Sequence, residues 1–128
     1  MKFLHPEGWK PALGYANGII TSGQTIYVGG QIGWTADQVF ETDDFVGQCL
    51  QAMKNIEAIL AEAGATPANV VRLTWYVTDK QEYLAAQKAL GEAYRSVFGK
   101  HFPSMTMVQV ADLVEDRAKV EIEATAVI

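Results

Sequence analysis

The 128-residue sequence has few of the residues that build several common kinds of protein. Its single cysteine, Cys49, excludes an internal disulfide. The only histidines, His5 and His101, are far apart in sequence and have no metal-ligand spacing around them, so neither a metal site nor a nucleophilic triad is indicated. Ten Lys and Arg residues stand against 15 Asp and Glu residues, and no basic cluster for binding nucleic acid is present.

Long hydrophobic runs are also missing. No stretch approaches the roughly 20 apolar residues that span a bilayer, and the start, Met1–Pro6, lacks the apolar segment of a signal peptide. We therefore expect a cytoplasmic protein without a membrane partner. What is present, 49% hydrophobic and 20% charged residues, is typical of a globular protein, and the length predicts a single domain over residues 1–128.

Two segments have the period of an amphipathic helix. The first runs from Asp43 to Ala63, with Thr42 as a candidate cap and Gly64 as the stop. The second runs from Lys80 to Phe98, where Asp79 and Glu82 form a plausible capping box and Gly99 suits the end. Its apolar stripe includes one amide, Gln87, which therefore points toward the covered face or its edge.

The remaining elements are predicted to be strands. Ile19–Thr21 and Thr25–Val28 flank Gly23 and indicate a hairpin, and a short third strand is expected near Val39–Phe40. Three more strands follow, at 70–77, 105–111 and 119–127. The pattern predicts an α+β protein whose six-stranded mixed sheet carries both helices on one face.

The other face of this sheet needs a cover. On the last strand the alternating set Val120, Ile122, Ala124 and Ala126 suits the helices, so Glu121 and Glu123 point away from them. For the preceding strand, alternation separates Met105 and Met107 from Thr106 but does not decide which set faces the helices. A face that mixes apolar and charged side chains predicts burial against identical subunits.

Several motifs in order resemble the Rid (YjgF-like) family: Tyr15, Tyr27-Val28-Gly29-Gly30-Gln31-Ile32, the helix end Asn55–Gly64, Thr78-Asp79, and Val120-Glu121-Ile122-Glu123-Ala124. The resemblance covers the chain from about Tyr15 to Ile128. It implies a chorismate-mutase-like fold and a homotrimer with small-molecule clefts between subunits. It also implies a reaction without metal or cofactor, the hydrolysis of imines and enamines such as 2-aminoacrylate to a keto acid and ammonia.

The resemblance also assigns residues to the cleft. The family's Pro-Ala-Arg-Ser run corresponds to Pro103-Ser104-Met105-Thr106, so Met105 replaces the arginine that anchors the substrate carboxylate. A thioether cannot pair with a carboxylate, and the usual 2-imino acids are therefore disfavoured. Glu121 corresponds to the glutamate that positions water. The expected lining comprises Tyr15, Gly29, Gly30, Gln87, Met105, Thr106 and Met107, with Trp34 as a candidate for stacking on a flat ligand.

Simpler interpretations exist for each of these residues. Met105 and Met107 suit a core or an interface, Glu121 suits a solvated edge, and Gln87 suits a backbone group at a helix boundary. Cys49 belongs to the helix stripe, and Gly29-Gly30 is typical of a bulge. The same cleft also fits a non-catalytic protein that binds or senses a small metabolite. A ribonuclease or translation inhibitor is less compatible with the acidic charge.

Overall fold

The structure is a computed structural model that describes residues 1–128 and has an α+β architecture. It contains six strands, three helices and a short 3-10 turn. In chain order these are β1 (Lys2–Leu4), β2 (Gly18–Ile20), β3 (Thr25–Ile32), α1 (Phe45–Glu62), the 3-10 turn (Pro67–Asn69), β4 (Val70–Val77), α2 (Lys80–Ala85), α3 (Gln87–Phe98), β5 (Ser104–Gln109) and β6 (Val120–Val127).

The six strands form two sheets. The main sheet has four strands in the order β3-β6-β4-β5, and β1 pairs with β2 in a separate two-stranded sheet. Strand β6 is antiparallel to both β3 and β4, whereas β4 and β5 are parallel and are joined through α2 and α3. The predicted α+β class is confirmed, but a single six-stranded sheet is wrong, and β1 was not among the predicted strands.

The first helix follows its sequence pattern closely. Asp44 caps it by accepting a hydrogen bond of 2.8 Å from the Gly47 N–H, and Thr42, two residues earlier, accepts from the Asp44 N–H at 3.0 Å. The expected cap is thus displaced from Thr42 to Asp44. Gly64, with φ +71°, follows the end as predicted. The apolar stripe is fully buried against the sheet at Cys49, Ala52, Met53, Ile56 and Leu60.

The second helical segment is interrupted. Asp79 begins it as predicted by accepting from the Gln81 N–H, and Gly99 ends it at φ +62°. At Ala86, with φ −109° and ψ 13°, the helix breaks into α2 and α3. The expectation of one continuous helix over Lys80–Phe98 is therefore wrong, although its two ends are correct.

Two strand predictions near the N-terminus are also wrong. The segments around Gly23 do not form a hairpin, because β2 pairs with β1 while β3 pairs with β6. At Val39–Phe40 there is no strand. Instead the chain turns between Thr35 and Val39, where Gln38 takes a positive φ of 61°.

The faces of the main sheet agree with the alternation on β6. Val120, Ile122, Ala124 and Ala126 are buried under the helices, as predicted. In the parallel pairing, Met105 lies beside Leu73 and Met107 beside Trp75, both of which are buried on the helix-covered face. This settles the orientation of β5: Met105 and Met107 face the helices, and Thr106 faces away.

Two amide side chains of α1 hold the loops at the edge of the core. Gln48 is fully buried; its Nε2 donates to the carbonyls of Thr42 and Arg117, and its Oε1 accepts from the Lys119 N–H at 2.8 Å. Asn55 donates to the carbonyls of Ile32 and Trp34. None of the three helices has the length and hydrophobicity needed to cross a membrane.

Candidate functional site

A cavity lies between α2–α3 and the β4–β5 half of the main sheet. Its volume is about 530 Å³, within the usual range of small-molecule sites. Nine of its 13 lining residues are hydrophobic: Leu13, Tyr15, Trp75, Tyr83, Leu90, Tyr94, Phe102, Met105 and Met107. Gly14, Gln87, Gly91 and Arg95 complete the lining.

Different elements bring these residues together. The loop that carries Tyr15 is held beside β5 by a hydrogen bond of 3.0 Å from the Ala16 N–H to the Pro103 carbonyl. Tyr94 donates from its hydroxyl to the His101 carbonyl at 2.6 Å and stacks on Phe102, with ring centroids 5.4 Å apart. Burial raises the pKa of Tyr94, so its hydroxyl stays protonated and continues to donate. This wall is therefore fixed before any ligand arrives.

Trp75 forms part of the same wall and has an unsatisfied hydrogen-bond donor. Its side chain is 2% exposed, and its indole N–H has no acceptor anywhere in the chain. Buried donors of this kind cost about 1–3 kcal/mol and are few in native proteins. The wall of the cavity thus contains one buried hydrogen-bond donor that has no acceptor.

Arg95 is the only charged residue in the lining. It belongs to the last two turns of α3 and takes part in no ion pair or side-chain hydrogen bond; the two ion pairs of the chain are Arg117–Asp43 and Lys119–Glu82. The guanidinium lies over Gly91, where an added Cβ would be 3.3 Å from Nη1. The cavity therefore has an apolar body and one free cation at its border.

Glu121 lies on the opposite face of the sheet. A Cβ atom at Gly30 would overlap the Glu121 carboxylate, so this carboxylate sits directly over a glycine of β3. The pairing of β3 with β6 shifts between Val28 and Gln31, which confirms the bulge predicted at Gly29-Gly30. Both glycines are exposed on this side of the protein.

Further side chains accompany Glu121 on this uncovered face. Tyr76 pairs with Glu121 across β4 and β6 and donates a hydrogen bond of 2.9 Å to Glu123. That hydrogen bond raises the pKa of the Tyr76 hydroxyl. Thr106 and Val108 of β5 extend the face, which has no covering element within the chain.

Trp34 lies at a third place. Together with Phe40 and Arg117 it lines a separate shallow cavity of about 420 Å³, where the Arg117 guanidinium sits 5.4 Å from the Phe40 ring centroid. The ring centroids of Trp34 and Phe40 are 5.9 Å apart. Trp34 therefore packs on its own chain, away from the main cavity.

The structure thus divides the predicted site residues into three groups. Tyr15, Gln87, Met105 and Met107 share the main cavity, Trp34 is elsewhere, and the uncovered face holds Gly29, Gly30, Thr106 and Glu121. Sequence reasoning missed Trp75 and Arg95, which also line the cavity. A signal existed for Arg95, since it follows Gln87 and Gly91 at helical spacing along one side of α3.

Two other kinds of chemistry lack a site. No group of three His, Cys, Asp or Glu side chains lies close enough together to hold a metal ion. Cys49 is fully buried, and burial raises the pKa of its thiol, so it stays protonated. Its interpretation as a packing residue is confirmed.

Comparison with known proteins gives consistent relatives along the whole chain. The sequence profile described as endoribonuclease L-PSP matches residues 7–128. The 2-iminobutanoate/2-iminopropanoate deaminase of Salmonella typhimurium is 32% identical over 127 residues, 98% of this chain and 97% of that protein. The RutC family protein UK114 of Drosophila melanogaster is 33% identical over 118 residues, 91% of this chain and 81% of that protein.

Solved structures have the same fold. A Rid family protein of unknown function from Yersinia pestis superposes with a TM-score of 0.89 at 30% identity and covers 99% of this chain and 98% of its own. The YjgF gene product of Escherichia coli, with 31% identity and the same coverage, gives a TM-score of 0.72. At nearly equal identity, the backbone therefore follows the Yersinia protein more closely.

Proposed function

Because this chain belongs to the endoribonuclease L-PSP family, which includes the Rid and YjgF proteins, we propose that it is a deaminase that hydrolyses an imine or enamine. The observation that carries the proposal is the cavity that gathers Tyr15, Gln87, Met105 and Met107. In the reaction, an enamine first becomes the imine by gaining a proton on carbon and losing one from nitrogen; water then adds to the C=N carbon, and the resulting C–N bond breaks to give a carbonyl compound and ammonia. An imine carbon is already electrophilic, so the protein needs only to orient the substrate, place the water and assist proton transfer.

The substrate differs from the small 2-imino acids that the deaminase from Salmonella is named for. Met105 faces the cavity at the position where the family resemblance places a carboxylate anchor, and a thioether cannot supply an ion pair. Losing such a pair costs about 2–5 kcal/mol. The apolar lining instead favours a substrate with a bulky apolar or aromatic group.

Glu121 takes part as the residue that positions water, and it reaches the cavity from a second subunit. Within one chain it lies on the other face of the sheet from Met105. That uncovered face carries exposed apolar side chains, including Tyr27 at 81% and Val108 at 41% exposure, which association between copies would bury. We propose a homotrimer in which each cleft joins the cavity of one subunit to Glu121 of its neighbour.

Mixing two inactive variants tests this arrangement. Glu121→Gln removes the carboxylate, and Gly91→Phe fills the cavity from α3, where an ordinary φ accepts a side chain. In randomly mixed trimers about one cleft in four pairs an intact cavity with an intact Glu121, so about a quarter of the wild-type rate returns. Each variant alone, treated in the same way, is the control. No recovery in trimers shown to be mixed by native mass spectrometry would overturn a shared site.

The substrate assay uses the imines of alanine, leucine and phenylalanine, which an amino acid oxidase generates in the assay mixture. Semicarbazide traps the imine that remains, so a smaller amount of trapped product measures its hydrolysis. We expect faster turnover of the two bulky imines. Met105→Arg should raise the rate with the alanine imine tenfold or more, since it restores a carboxylate partner. Fast turnover of the alanine imine by the unaltered protein would contradict the importance given to Met105.

A second candidate function is binding without catalysis. It is favoured by one observation: the cavity lining of a single chain contains no carboxylate and no histidine. In that case Glu121→Gln would leave the affinity for a neutral ligand unchanged, and none of the three imines would be consumed faster than in buffer. RNA cleavage is disfavoured by the net charge of −5 and by the single cation of the cavity.

A further inference from the structure

We propose that the cavity binds a small aromatic monocarboxylate and that Arg95 holds its carboxylate. The proposal rests on the same cavity as the proposed function, but it requires binding only, not catalysis. It assigns the acid group to α3 instead of the strand position occupied by Met105.

The first support is the state of Arg95. A guanidinium presents a fork of donors that matches a carboxylate, and this one has no partner in the chain. Exposed arginines without partners are common on protein surfaces. This arginine differs because it borders a cavity whose lining within one chain has no other charge and includes nine hydrophobic residues.

The second support is Gly91. Glycine inside a helix costs about 1 kcal/mol relative to alanine, and the φ of Gly91 is not one that requires glycine. What distinguishes the position is the Arg95 guanidinium, which lies where a side chain at residue 91 would approach within 3.3 Å. The missing side chain thus leaves the guanidinium room to lie along the cavity border.

The third support is the indole N–H of Trp75, the buried donor without an acceptor. This N–H is closed to solvent in the unliganded chain, and a ligand oxygen that reached it would supply the acceptor that the protein lacks. Arg95 and Trp75 are therefore two donors without partners among the residues that line one cavity.

The rest of the lining selects the ligand body. Five aromatic side chains surround the space: Tyr15, Trp75, Tyr83, Tyr94 and Phe102. Aromatic rings prefer offset or edge contacts with other rings, and the sulfur atoms of Met105 and Met107 add favourable contacts to a ring. A volume of about 530 Å³ accommodates a ligand of this size.

Calorimetric titration of the full chain with phenylacetate, phenylacetamide and acetate tests the proposal. We expect phenylacetate to bind at least about tenfold more tightly than phenylacetamide, and acetate to bind much more weakly than either. Arg95→Gln should abolish the preference for the acid while leaving phenylacetamide binding unchanged. Lys88→Gln, which removes the same charge from an exposed residue of α3 outside the cavity, is the matched control.

Equal affinities for phenylacetate and phenylacetamide would overturn the proposal. An equal loss of phenylacetate affinity in the Lys88 and Arg95 variants would also overturn it.

A second measurement locates the ligand. The NMR signal of the Trp75 indole N–H, assigned with Trp75→Phe, should shift on saturation with phenylacetate, while that of the exposed Trp9 stays in place. A Trp75 signal that does not shift would show that phenylacetate binds outside this cavity. Arg95-dependent binding without imine turnover would support this inference and contradict the proposed catalysis. Imine turnover with no preference for the acid would support the proposed catalysis and contradict this inference.

Discussion

The two faces of the main sheet come from the same strands but have opposite relations to solvent. Ile122 is fully buried beneath the helices, whereas its neighbours Glu121 and Glu123 lie on the face that no element of the chain covers. Alternation in the sequence separates the two sets correctly. It does not reveal what covers the second face, because that depends on other copies or ligands.

The largest expected effect contrasts two adjacent residues of β6. Ile122→Ala should lower the free energy of unfolding by about 2–5 kcal/mol, since it leaves a cavity in the core. Glu123→Ala on the uncovered face should change it by about 0.5 kcal/mol or less in dilute protein. Urea denaturation at two protein concentrations measures both. A Glu123→Ala loss as large as that of Ile122→Ala would mean that both faces are core.

The next prediction concerns the buried amide at the border of the helix-covered face. Gln48→Leu should lower the unfolding free energy by about 2–3 kcal/mol, because it leaves the Lys119 N–H and two carbonyls without their partner. Gln51→Leu, on the same helix but bonded only to Asn55, is the control and should cost less than half as much. Equal costs would show that the Gln48 hydrogen bonds contribute little.

The change of the unfolding free energy at alkaline pH distinguishes a buried ionisable group, the Cys49 thiol, from an exposed one, the Tyr76 hydroxyl. The thiol of Cys49 ionises near its ordinary pKa of 9.0 in the unfolded chain but stays protonated in the fold, so the unfolded state binds fewer protons above that pH. The contribution of this thiol to stability should be constant below about pH 8 and should fall above pH 9, by up to about 1.4 kcal/mol per pH unit.

Two variants separate the sources of this loss. Cys49→Ala should remove the decline between pH 9 and 10, while the decline from Tyr94 above pH 10 remains. Tyr76→Phe on the uncovered face should change the profile much less, because that hydroxyl is exposed. Chemical denaturation across this pH range provides the measurement. A profile unchanged by Cys49→Ala would contradict the assignment of the loss to the thiol.

The smallest effect is a gain in stability. Gly91→Ala should raise the unfolding free energy by up to about 1 kcal/mol, since alanine is the better helix former. The same change should weaken phenylacetate binding a few-fold by crowding the Arg95 guanidinium. Gly47→Ala in α1 is not a suitable control, because its Cβ would lie 2.8 Å from Thr42; Ser96→Ala in α3, away from the cavity, serves instead. A lower unfolding free energy for Gly91→Ala would contradict the claim that the helix at residue 91 accepts a side chain.

The sequence was most informative where a pattern reflects one local cause. Helix α1 and the buried set of β6 could be predicted because burial on one side imposes a period. The pattern around Gly23 could not exclude a hairpin, because the pairing of a strand depends on segments that are distant in sequence. Gln24, for example, exchanges backbone hydrogen bonds with Ile128 at the other end of the chain. The break at Ala86 had no signal, since alanine is the strongest helix former.

The candidate site was predicted only in part for the same reason. Family resemblance supplied Tyr15, Gln87 and Met105, which share the cavity. It also assigned Glu121 and Met105 to one cleft between subunits, and within a single chain strand parity places the two on opposite faces of the sheet. Nothing in the sequence marks Trp75 as a residue of the cavity, because a missing hydrogen-bond partner is visible only in three dimensions.

The glycine beneath Glu121 has a consequence for how this protein can change over evolutionary time. Gly30 leaves the space that the Glu121 carboxylate occupies, because a side chain at residue 30 would displace that carboxylate. Positions 30 and 121 should consequently mutate as a pair: a homologue that acquires alanine or serine at the first is expected to have exchanged glutamate at the second for something shorter. Such a homologue would have given up, together with its glycine, the carboxylate to which the proposed function assigns the placing of water.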